Sequence, residues 1–398
     1  MVFFFKRLIE NSIRTLTRIY RIEPDLIVIF MRSYSGSNVV PLIEAVREGR
    51  LAPYRVQVNM LGKGSELSSL HRLKLMWKRY KLINQAKLII TTHGPMKVKK
   101  DTLNLELWHG FPLKGINLMD RGERKKAIKS RIDYTVSLSQ TYSTLLNACF
   151  GNDVNTYKVT GYPRNDYLFT SQGRVMLQKV LDLDLSDKKI LLFTPTYRRR
   201  EKDGNLEGGK NYDNFFGFDS FNIEAFNSFL EKTNLFFVLK LHPNEERFFK
   251  DTFTSDYSNI CLLLDTTLAE YTTDLYEIVN AADMLITDYS SIYFDYLLLE
   301  RPIIFAVPDL SSYDENRGFL VGPLSFWMPG SICSDYEQLI ETIRRNLDED
   351  PYKENRDILK QIVHTHPDAN STKRVLELVQ YLMKIDTKRT RYAHVQKS

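Results

Sequence analysis

Residues 284–296 read Met-Leu-Ile-Thr-Asp-Tyr-Ser-Ser-Ile-Tyr-Phe-Asp-Tyr, and residues 301–305 read Arg-Pro-Ile-Ile-Phe. The apolar residues 284–286 predict a strand, and Ser290 and Ser291 stand where an apolar helix is expected to begin. Backbone N–H groups at a helix start have no partner within the helix, so together with two hydroxyls they suit a phosphate or diphosphate. The second segment predicts the next strand. Strand, phosphate-facing turn, helix and strand indicate half of a nucleotide-binding α/β domain.

Short apolar runs alternate with helical segments on both sides of this stretch. The candidate strands are 26–31, 55–58, 88–92, 104–108, 134–138 and 157–160, followed by 190–193, 235–241, 259–264, 284–286 and 302–305. Such alternation predicts parallel sheets with helices on both faces. We therefore expect an α/β fold with two Rossmann-like domains, at 23–170 and 188–385, whose parallel sheets face each other across a cleft. A linker is expected at 171–187.

The two ends of the chain are basic. Residues 1–22 carry apolar side chains at helical spacing with Lys and Arg between them, which predicts an amphipathic helix. Such a helix could lie against an anionic membrane or pack on its own domain. Residues 386–398 form a basic tail. The formal net charge of +6 suggests an acidic partner, which could be a nucleotide, a nucleic acid or a membrane.

Other features of the composition bear on compartment and membrane topology. The three cysteines are far apart in sequence, which fits a reducing cytosolic compartment. No apolar run approaches the ~18 residues of a membrane span.

Two histidines each follow a predicted strand. His109 comes after strand 104–108, and His242 comes after strand 235–241. Loops at the carboxyl ends of parallel strands form the ligand crevice of open α/β sheets, and histidine exchanges protons near neutral pH. Either residue could instead be a structural histidine in a turn. Their equivalent placement predicts a pair facing each other across the cleft, one acting as a base and one donating to a leaving phosphate.

Further polar residues stand near other predicted strand ends. Thr196 and Arg198 follow strand 190–193, where a hydroxyl and a guanidinium suit phosphate recognition, although a solvated basic turn is the alternative. Lys114 could balance phosphate charge. Arg164 and Asn165 lie in a turn that either lines the cleft or is purely structural.

The sequence contains no recognised motif for a metal or cofactor. There is no Walker loop, no Gly-x-Gly-x-x-Gly and no His-Glu-x-x-His or cysteine cluster. No metal site is therefore predicted and no cofactor is evident, although Mg²⁺ bound chiefly by substrate phosphates would leave little trace.

Taken together, the motifs resemble those of the CDP-glycerol:poly(glycerophosphate) glycerophosphotransferases, the teichoic acid primases and polymerases of Gram-positive bacteria. The resemblance runs over about residues 100–375. It rests on Trp108-His109-Gly110, Gly161-Tyr162-Pro163-Arg164-Asn165-Asp166, Thr194-Pro195-Thr196-Tyr197-Arg198, Lys240-Leu241-His242-Pro243, and Thr287-Asp288-Tyr289-Ser290-Ser291 with Asp295 and Arg301-Pro302.

The resemblance implies a GT-B fold with a CDP-alcohol in the cleft. It makes His109 the candidate base and His242 an essential residue near the diphosphate, which Ser290 and Ser291 would hold. It also implies that Arg198, Asp288, Arg317 and Ser371 lie near the nucleotide or its phosphates, where Thr196 is predicted to bind as well. The residues predicted on the acceptor side or in the cleft are Gly110, Lys114, Arg164 and Asn165. Asn316 stands where the family usually has an acidic residue before Arg-Gly, which puts the polar contact beside Arg317 in doubt.

The implied reaction transfers glycerol phosphate from CDP-glycerol to a hydroxyl and releases CMP. The acceptor would be an undecaprenyl-diphosphate-linked saccharide or a polyol phosphate chain. The enzyme would bind peripherally at the cytoplasmic face of the cell membrane, against an anionic membrane surface.

Three alternatives stay open. The donor could be CDP-ribitol or another polyol or sugar phosphate carrier, for wall teichoic acid or capsule synthesis. The protein could be a GT-B sugar transferase that uses a nucleotide sugar. A nucleic-acid binder is the non-enzymatic alternative, but it explains the two histidines and the Ser290–Ser291 turn poorly, so no nucleic-acid partner is expected.

Overall fold

Twelve strands form two parallel six-stranded sheets in the computed structural model, which describes residues 2–32, 35–61, 69–120, 132–198, 210, 212–249 and 257–385. The predicted α/β architecture of two sheets with alternating strands and helices is confirmed. The basic residues 124–131 and the predicted tail at 386–398 lie outside the described residues.

The first sheet has the strand order β2-β1-β3-β4-β5-β6. Its strands are β1 (Leu26–Met31), β2 (Arg55–Met60), β3 (Leu88–Thr91), β4 (Leu103–Glu106), β5 (Tyr134–Ser137) and β6 (Tyr157–Val159). The helices of this domain are α1 (Val2–Leu16), α2 (Val40–Arg47), α3 (Ser69–Gln85) and α4 (Gln140–Phe150). All six residues of β1 are buried, because helices cover both faces of a parallel sheet and its strands can be apolar throughout.

The second sheet has the order β12-β11-β10-β7-β8-β9. Its strands are β7 (Lys189–Phe193), β8 (Leu235–Leu239), β9 (Ile260–Leu262), β10 (Met284–Thr287), β11 (Ile303–Ala306) and β12 (Ser331–Cys333). Between the sheets the chain forms α5 (Tyr167–Thr170) and α6 (Gly173–Leu181). The direction of strand addition reverses between β7 and β10, which is where open α/β sheets bind ligands.

The remaining helices alternate with the second sheet or follow it. They are α7 (Ile223–Lys232), α8 (Pro243–Phe249), α9 (Asp265–Glu270), α10 (Leu275–Val279), α11 (Ile292–Tyr296), α12 (Leu310–Asn316), α13 (Leu324–Trp327), α14 (Tyr336–Asp348), α15 (Lys353–Val363) and α16 (Ser371–Lys384). The helix expected to begin at Ser290 and Ser291 is α11, which is short and is followed by a 3₁₀ turn at Leu297–Leu299.

The last helix returns to the first domain. The Asp166 carboxylate accepts the backbone N–H groups of Ser371 and Thr372 at 2.9 and 2.8 Å, so a residue next to the linker caps the first turn of α16. At the other end, Lys87 Nζ donates to the carbonyl of Ile385. The predicted limits of the domains remain a prediction, and α16 is the element that crosses between them.

A short antiparallel bridge joins the loops that flank the cleft. Lys114 pairs with Phe319, the Gly115 N–H donates to the Gly318 carbonyl at 3.0 Å, and the Leu320 N–H donates to the Leu113 carbonyl at 2.8 Å. The loop after His109 is thereby tied by backbone hydrogen bonds to the loop after Arg317. Nearby, the rings of Phe111 and Phe294 stack with centroids 3.7 Å apart.

Candidate active site

A cleft of about 570 Å³ opens between the carboxyl ends of the two sheets. The loops after β4, β7, β8 and β10 all reach it, because parallel strands present their carboxyl ends at one edge. Eight of the predicted residues line it: His109, Gly110, Lys114, Thr196, His242, Ser290, Ser291 and Arg317.

His109 is held in one tautomer by the backbone. Its Nδ1 lies 2.7 Å from the Thr92 carbonyl oxygen, which can only accept, so Nδ1 carries the hydrogen and Nε2 keeps a lone pair. The ring stacks on His93 with centroids 4.2 Å apart and lies 4.2 Å from the ring of Trp108. Burial, with a smaller contribution from His93, lowers the pKa of His109 to about 3. The side chain is therefore neutral at physiological pH.

His242 has the opposite hydrogen-bond polarity. Its Nδ1 accepts the backbone N–H of Asn244 at 3.2 Å, so the neutral ring carries its hydrogen on Nε2. The ring lies 4.4 Å from that of Tyr197, and the residue is exposed. His109 is thus arranged as an acceptor and His242 as a donor, although both follow a strand in the same way.

The turn after β10 is organised around a buried carboxylate. Asp288 accepts the backbone N–H of Thr196 at 2.7 Å and that of Ser290 at 3.1 Å. Burial works to raise the pKa of Asp288, but the Arg198 and Lys210 cations outweigh it, so the pKa lies below its usual value. Because the N–H of Ser290 is occupied by Asp288, this donor does not face the cleft as the sequence had suggested.

Hydroxyl groups supply the polar lining on this side. Among the described residues, the buried Oγ1 atoms of Thr194 and Thr196 have no hydrogen-bond partner, and both residues line the cleft. Ser291 stands at the start of α11 and its side chain makes no capping hydrogen bond. A Cβ placed on Gly110 would collide with Ser291 Oγ, so the turn after His109 and the serine turn are in close contact across the cleft.

Arg198 does not line the cleft, contrary to the sequence-based expectation of a phosphate contact. Its side chain is fully buried between Asp288 and Asp309, with an N–O distance of 3.1 Å to each carboxylate. The guanidinium also lies 5.0 and 4.5 Å from the ring centroids of Tyr289 and Tyr313. Two carboxylates neutralise its charge, so its position suits holding the Thr196 turn rather than touching a substrate.

Arg164 and Asn165 also lie away from the cleft surface. Both bind Asp295 of the second domain, with distances of 2.7 and 3.0 Å, and Tyr276 donates to the same carboxylate at 2.6 Å. All of these side chains are buried. Ser371 is likewise buried at the start of α16, outside the cleft lining. These three predicted residues therefore stabilise the contact between the domains.

Two residues beside His109 were missed in the sequence. His93 stacks on its ring, and Glu106 accepts hydrogen bonds from the N–H groups of Gly94 and Trp108 at 3.0 and 3.1 Å. Glu106 thus ties together the two turns that carry His93 and His109. Burial raises its pKa to about 7. The signal was an acidic residue inside a strand that otherwise reads as apolar.

Two further findings concern metals and membranes. Within the described ranges, no group of three or more His, Cys, Asp or Glu side chains could hold a metal ion. Over the same ranges, no helix combines the length and apolar character needed to cross a bilayer.

Residues 54–381 match the family model of CDP-Glycerol:Poly(glycerophosphate) glycerophosphotransferase. The chain belongs to this family. The glycerophosphotransferase assignment made from the motifs is therefore confirmed, and with it the prediction of an enzyme of teichoic acid biosynthesis.

Individual proteins are similar to this chain over most of its length. A teichoic acid glycerol-phosphate transferase of Staphylococcus aureus (strain NCTC 8325 / PS 47) is 28% identical over 411 residues, covering 94% of this chain and 98% of the relative. A teichoic acid ribitol-phosphate primase of Bacillus spizizenii (strain ATCC 23059 / NRRL B-14472 / W23) is 26% identical over 297 residues, covering 71% and 70%. The structure of the wall teichoic acid polymerase TagF covers 94% of each chain at 20% identity with a TM-score of 0.72. This likeness confirms the GT-B fold.

Proposed function

We propose that this glycerophosphotransferase moves glycerol phosphate from CDP-glycerol to a hydroxyl of a lipid-linked acceptor and releases CMP. The observation that carries the proposal is the tautomer of His109, whose Nε2 lone pair belongs to a residue that lines the cleft. A base at this point is what an attacking hydroxyl needs.

The reaction needs one proton transfer and one displacement. The acceptor hydroxyl gives its proton to His109 Nε2, and its oxygen forms a bond to the phosphorus that carries glycerol. The bond between that phosphorus and the bridging oxygen breaks, and the electron pair leaves with CMP. No covalent enzyme intermediate is required, so catalysis rests on alignment and on stabilising negative charge.

The donor diphosphate would lie on the second-domain wall of the cleft. The hydroxyls of Thr194, Thr196, Ser290 and Ser291 offer hydrogen-bond donors there, and Nε2–H of His242 supplies one more. Lys114 and Arg317 add positive charge to the lining, and Arg317 is paired with Asp120 at 3.1 Å. Arg198, Asp288, Arg164, Asn165 and Ser371 act indirectly in this proposal by fixing the loops and the domain contact.

His109→Ala tests the proposal directly. Loss of a general base typically lowers turnover by about 10²–10⁴-fold, while the affinity for CDP-glycerol should change little. CMP release and transfer of labelled glycerol phosphate measure turnover, and calorimetric titration measures the affinity for CDP-glycerol. His366→Ala, in the connection before α16, is the matched control. Unchanged turnover in His109→Ala would remove His109 from the mechanism.

The polyol carried by the donor has a second candidate. Because ribitol-phosphate enzymes also match this chain, CDP-ribitol is the second candidate donor. Parallel reactions with CDP-glycerol, CDP-ribitol and a UDP-sugar, analysed by mass spectrometry, separate the three. Transfer from CDP-ribitol alone would replace glycerol in the proposal, and transfer from the UDP-sugar would overturn it.

A peripheral position on the membrane, on the side where cytoplasmic CDP-glycerol is available, is the second part of the proposal. Apolar side chains remain exposed on α1 and the following turn, including Leu8, Leu16 and Ile19 at 53, 57 and 78%. An apolar groove of about 430 Å³ runs between α1 and α3. Basic residues on these helices would add about 1 kcal/mol each against anionic lipid.

Vesicle co-sedimentation tests the membrane contact. Leu16→Glu should weaken binding to anionic vesicles, and Val175→Glu, at an equally exposed position on α6, should not. Binding that is indifferent to lipid charge and to Leu16→Glu would overturn this part alone.

A further inference from the structure

A second cavity lies inside the first domain, between β4, β5 and the helices α1, α3 and α4. Its volume is about 650 Å³, within the size range of small-molecule sites. Three aromatic rings contribute to its wall, together with hydroxyl, amide and guanidinium groups. These groups belong to Tyr80, Trp108, Phe150, Thr135, Asn152 and Arg14.

Two polar atoms in this wall have no partner among the described residues. They are Oγ1 of Thr135, a residue only 4% exposed, and Oδ1 of Asn152. Buried polar atoms in native proteins nearly always have a hydrogen-bond partner, and an unmet one is costly. A ligand in the cavity that hydrogen-bonds to both would supply the missing partners.

The cavity and the cleft meet at Trp108. This side chain lines both spaces, and its ring lies 4.2 Å from that of His109. His93, which also lines the cavity, stacks on the His109 ring at the same centroid distance of 4.2 Å. A molecule held in the cavity would therefore lie against the two side chains whose rings contact the candidate base.

We propose that this cavity binds the head group of the acceptor, a saccharide or polyol phosphate, and directs its hydroxyl past Trp108 toward His109. The inference rests on the proposed function and names the site of its second substrate. Aromatic rings pack against the apolar faces of sugars, while Thr135 and Asn152 would hydrogen-bond to hydroxyls. Arg14 on α1 places a cation at the wall nearest the proposed membrane face, where a diphosphate linked to lipid would enter.

Thr135→Val is the decisive variant. Valine has nearly the shape of threonine, and removing a hydroxyl that has no partner among the described residues should leave the thermal stability unchanged or raise it. The loss of one hydrogen bond to the acceptor should raise its KM about two- to tenfold, with the KM for CDP-glycerol unchanged. The acceptor probe is a disaccharide joined through a diphosphate to a short alkyl chain.

A second variant fills the cavity instead of removing one contact. Asn152→Trp should raise the acceptor KM more than tenfold, because the indole occupies the space of the head group. Ala148→Trp introduces the same side chain at an exposed position of α4 and should behave as wild type. Titration of the probe without donor gives dissociation constants that should follow the same order.

The outcomes distinguish failure of the cavity assignment from failure of the proposed transfer reaction. Equal acceptor KM and probe affinity in wild type, Thr135→Val and Asn152→Trp would overturn the cavity assignment while leaving the transfer reaction intact. Failure of the wild-type protein to bind the probe would overturn it as well. Failure to transfer from any CDP-alcohol, with the probe still bound through Thr135, would instead refute the proposed function.

Discussion

Replacing Glu106 by glutamine is predicted to remove a fall in stability with rising pH that originates at this one buried carboxyl group. The carboxylate lies inside the first domain and receives the Thr91 hydroxyl at 2.7 Å together with two backbone N–H groups. It has no cation among these partners. Burial is the main reason that its pKa rises from 4.5 to about 7.

The direction of this pH dependence follows from proton binding in the folded and unfolded states. Between pH 4.5 and 7 the folded protein holds a proton that the unfolded chain has lost, so this group makes stability fall as pH rises. A shift of this size corresponds to about 3 kcal/mol, fully lost once the pH exceeds the folded pKa. The glutamine side chain cannot ionise, so the variant should lack this decline. Its amide N–H₂ also faces an N–H donor, which adds a penalty that does not depend on pH.

The assay is urea unfolding of wild type and Glu106→Gln at several pH values from 5 to 8.5. The difference in unfolding free energy should shift in favour of the variant by up to about 3 kcal/mol across this range. Glu48→Gln, exposed on the same domain, is the control. A difference that stays constant with pH would refute the reasoning, because Glu106 would then not titrate in this interval.

The same substitution should reduce turnover. Glu106 fixes the turns of His93 and His109, and displacement of a reacting group by about 1 Å can cost a hundredfold. We expect kcat to fall while the KM for CDP-glycerol is retained, measured by CMP release.

Three further predictions concern the domain contact and the cleft. Arg164→Met should lower the unfolding free energy by about 3–5 kcal/mol, because Asp295 is left buried without its cation. Adding Asp295→Asn to the same chain should restore part of the lost stability. A loss below about 1 kcal/mol in Arg164→Met would contradict the prediction. Arg198→Lys should destabilise the protein similarly in urea unfolding, since a lysine cannot bridge Asp288 and Asp309 together, and an unchanged midpoint would show that the bridge is dispensable. Gly110→Ala should lower the unfolding free energy by about 1–3 kcal/mol, or displace Ser291 and lower kcat. Wild-type values of both the unfolding free energy and kcat would exclude the close contact across the cleft.

The fold was accessible from sequence because apolar runs mark the parallel strands clearly. Strands such as β1 and β8 are buried along their whole length, and their apolar residues are continuous in sequence. β12 escaped prediction because three residues, Ser331–Cys333, carry no such run and depend on pairing with β11.

The candidate site was predictable where function depends on strand ends. His109, His242, Ser290 and Ser291 reach the cleft because each follows a strand, and strand ends are readable from sequence. Arg198 was placed in the site because its guanidinium follows a strand, and both Arg198 and Arg164 belong to motifs of the family resemblance. Their charges are taken up by Asp288, Asp309 and Asp295, which are distant in sequence, so only the fold reveals those pairings.

The return of α16 to the first domain affects how this protein folds during its own translation. Its buried face, which includes Val375, Val379 and Leu382, packs beside Asp166, and its end accepts a hydrogen bond from Lys87. Domains generally fold from the amino terminus as the chain emerges from the ribosome. Here the contacts that the first half makes with residues 371–384 can form only after those residues have emerged. Until then a nascent chain exposes the apolar surface that α16 will cover, and a premature stop within α16 would leave part of that surface uncovered.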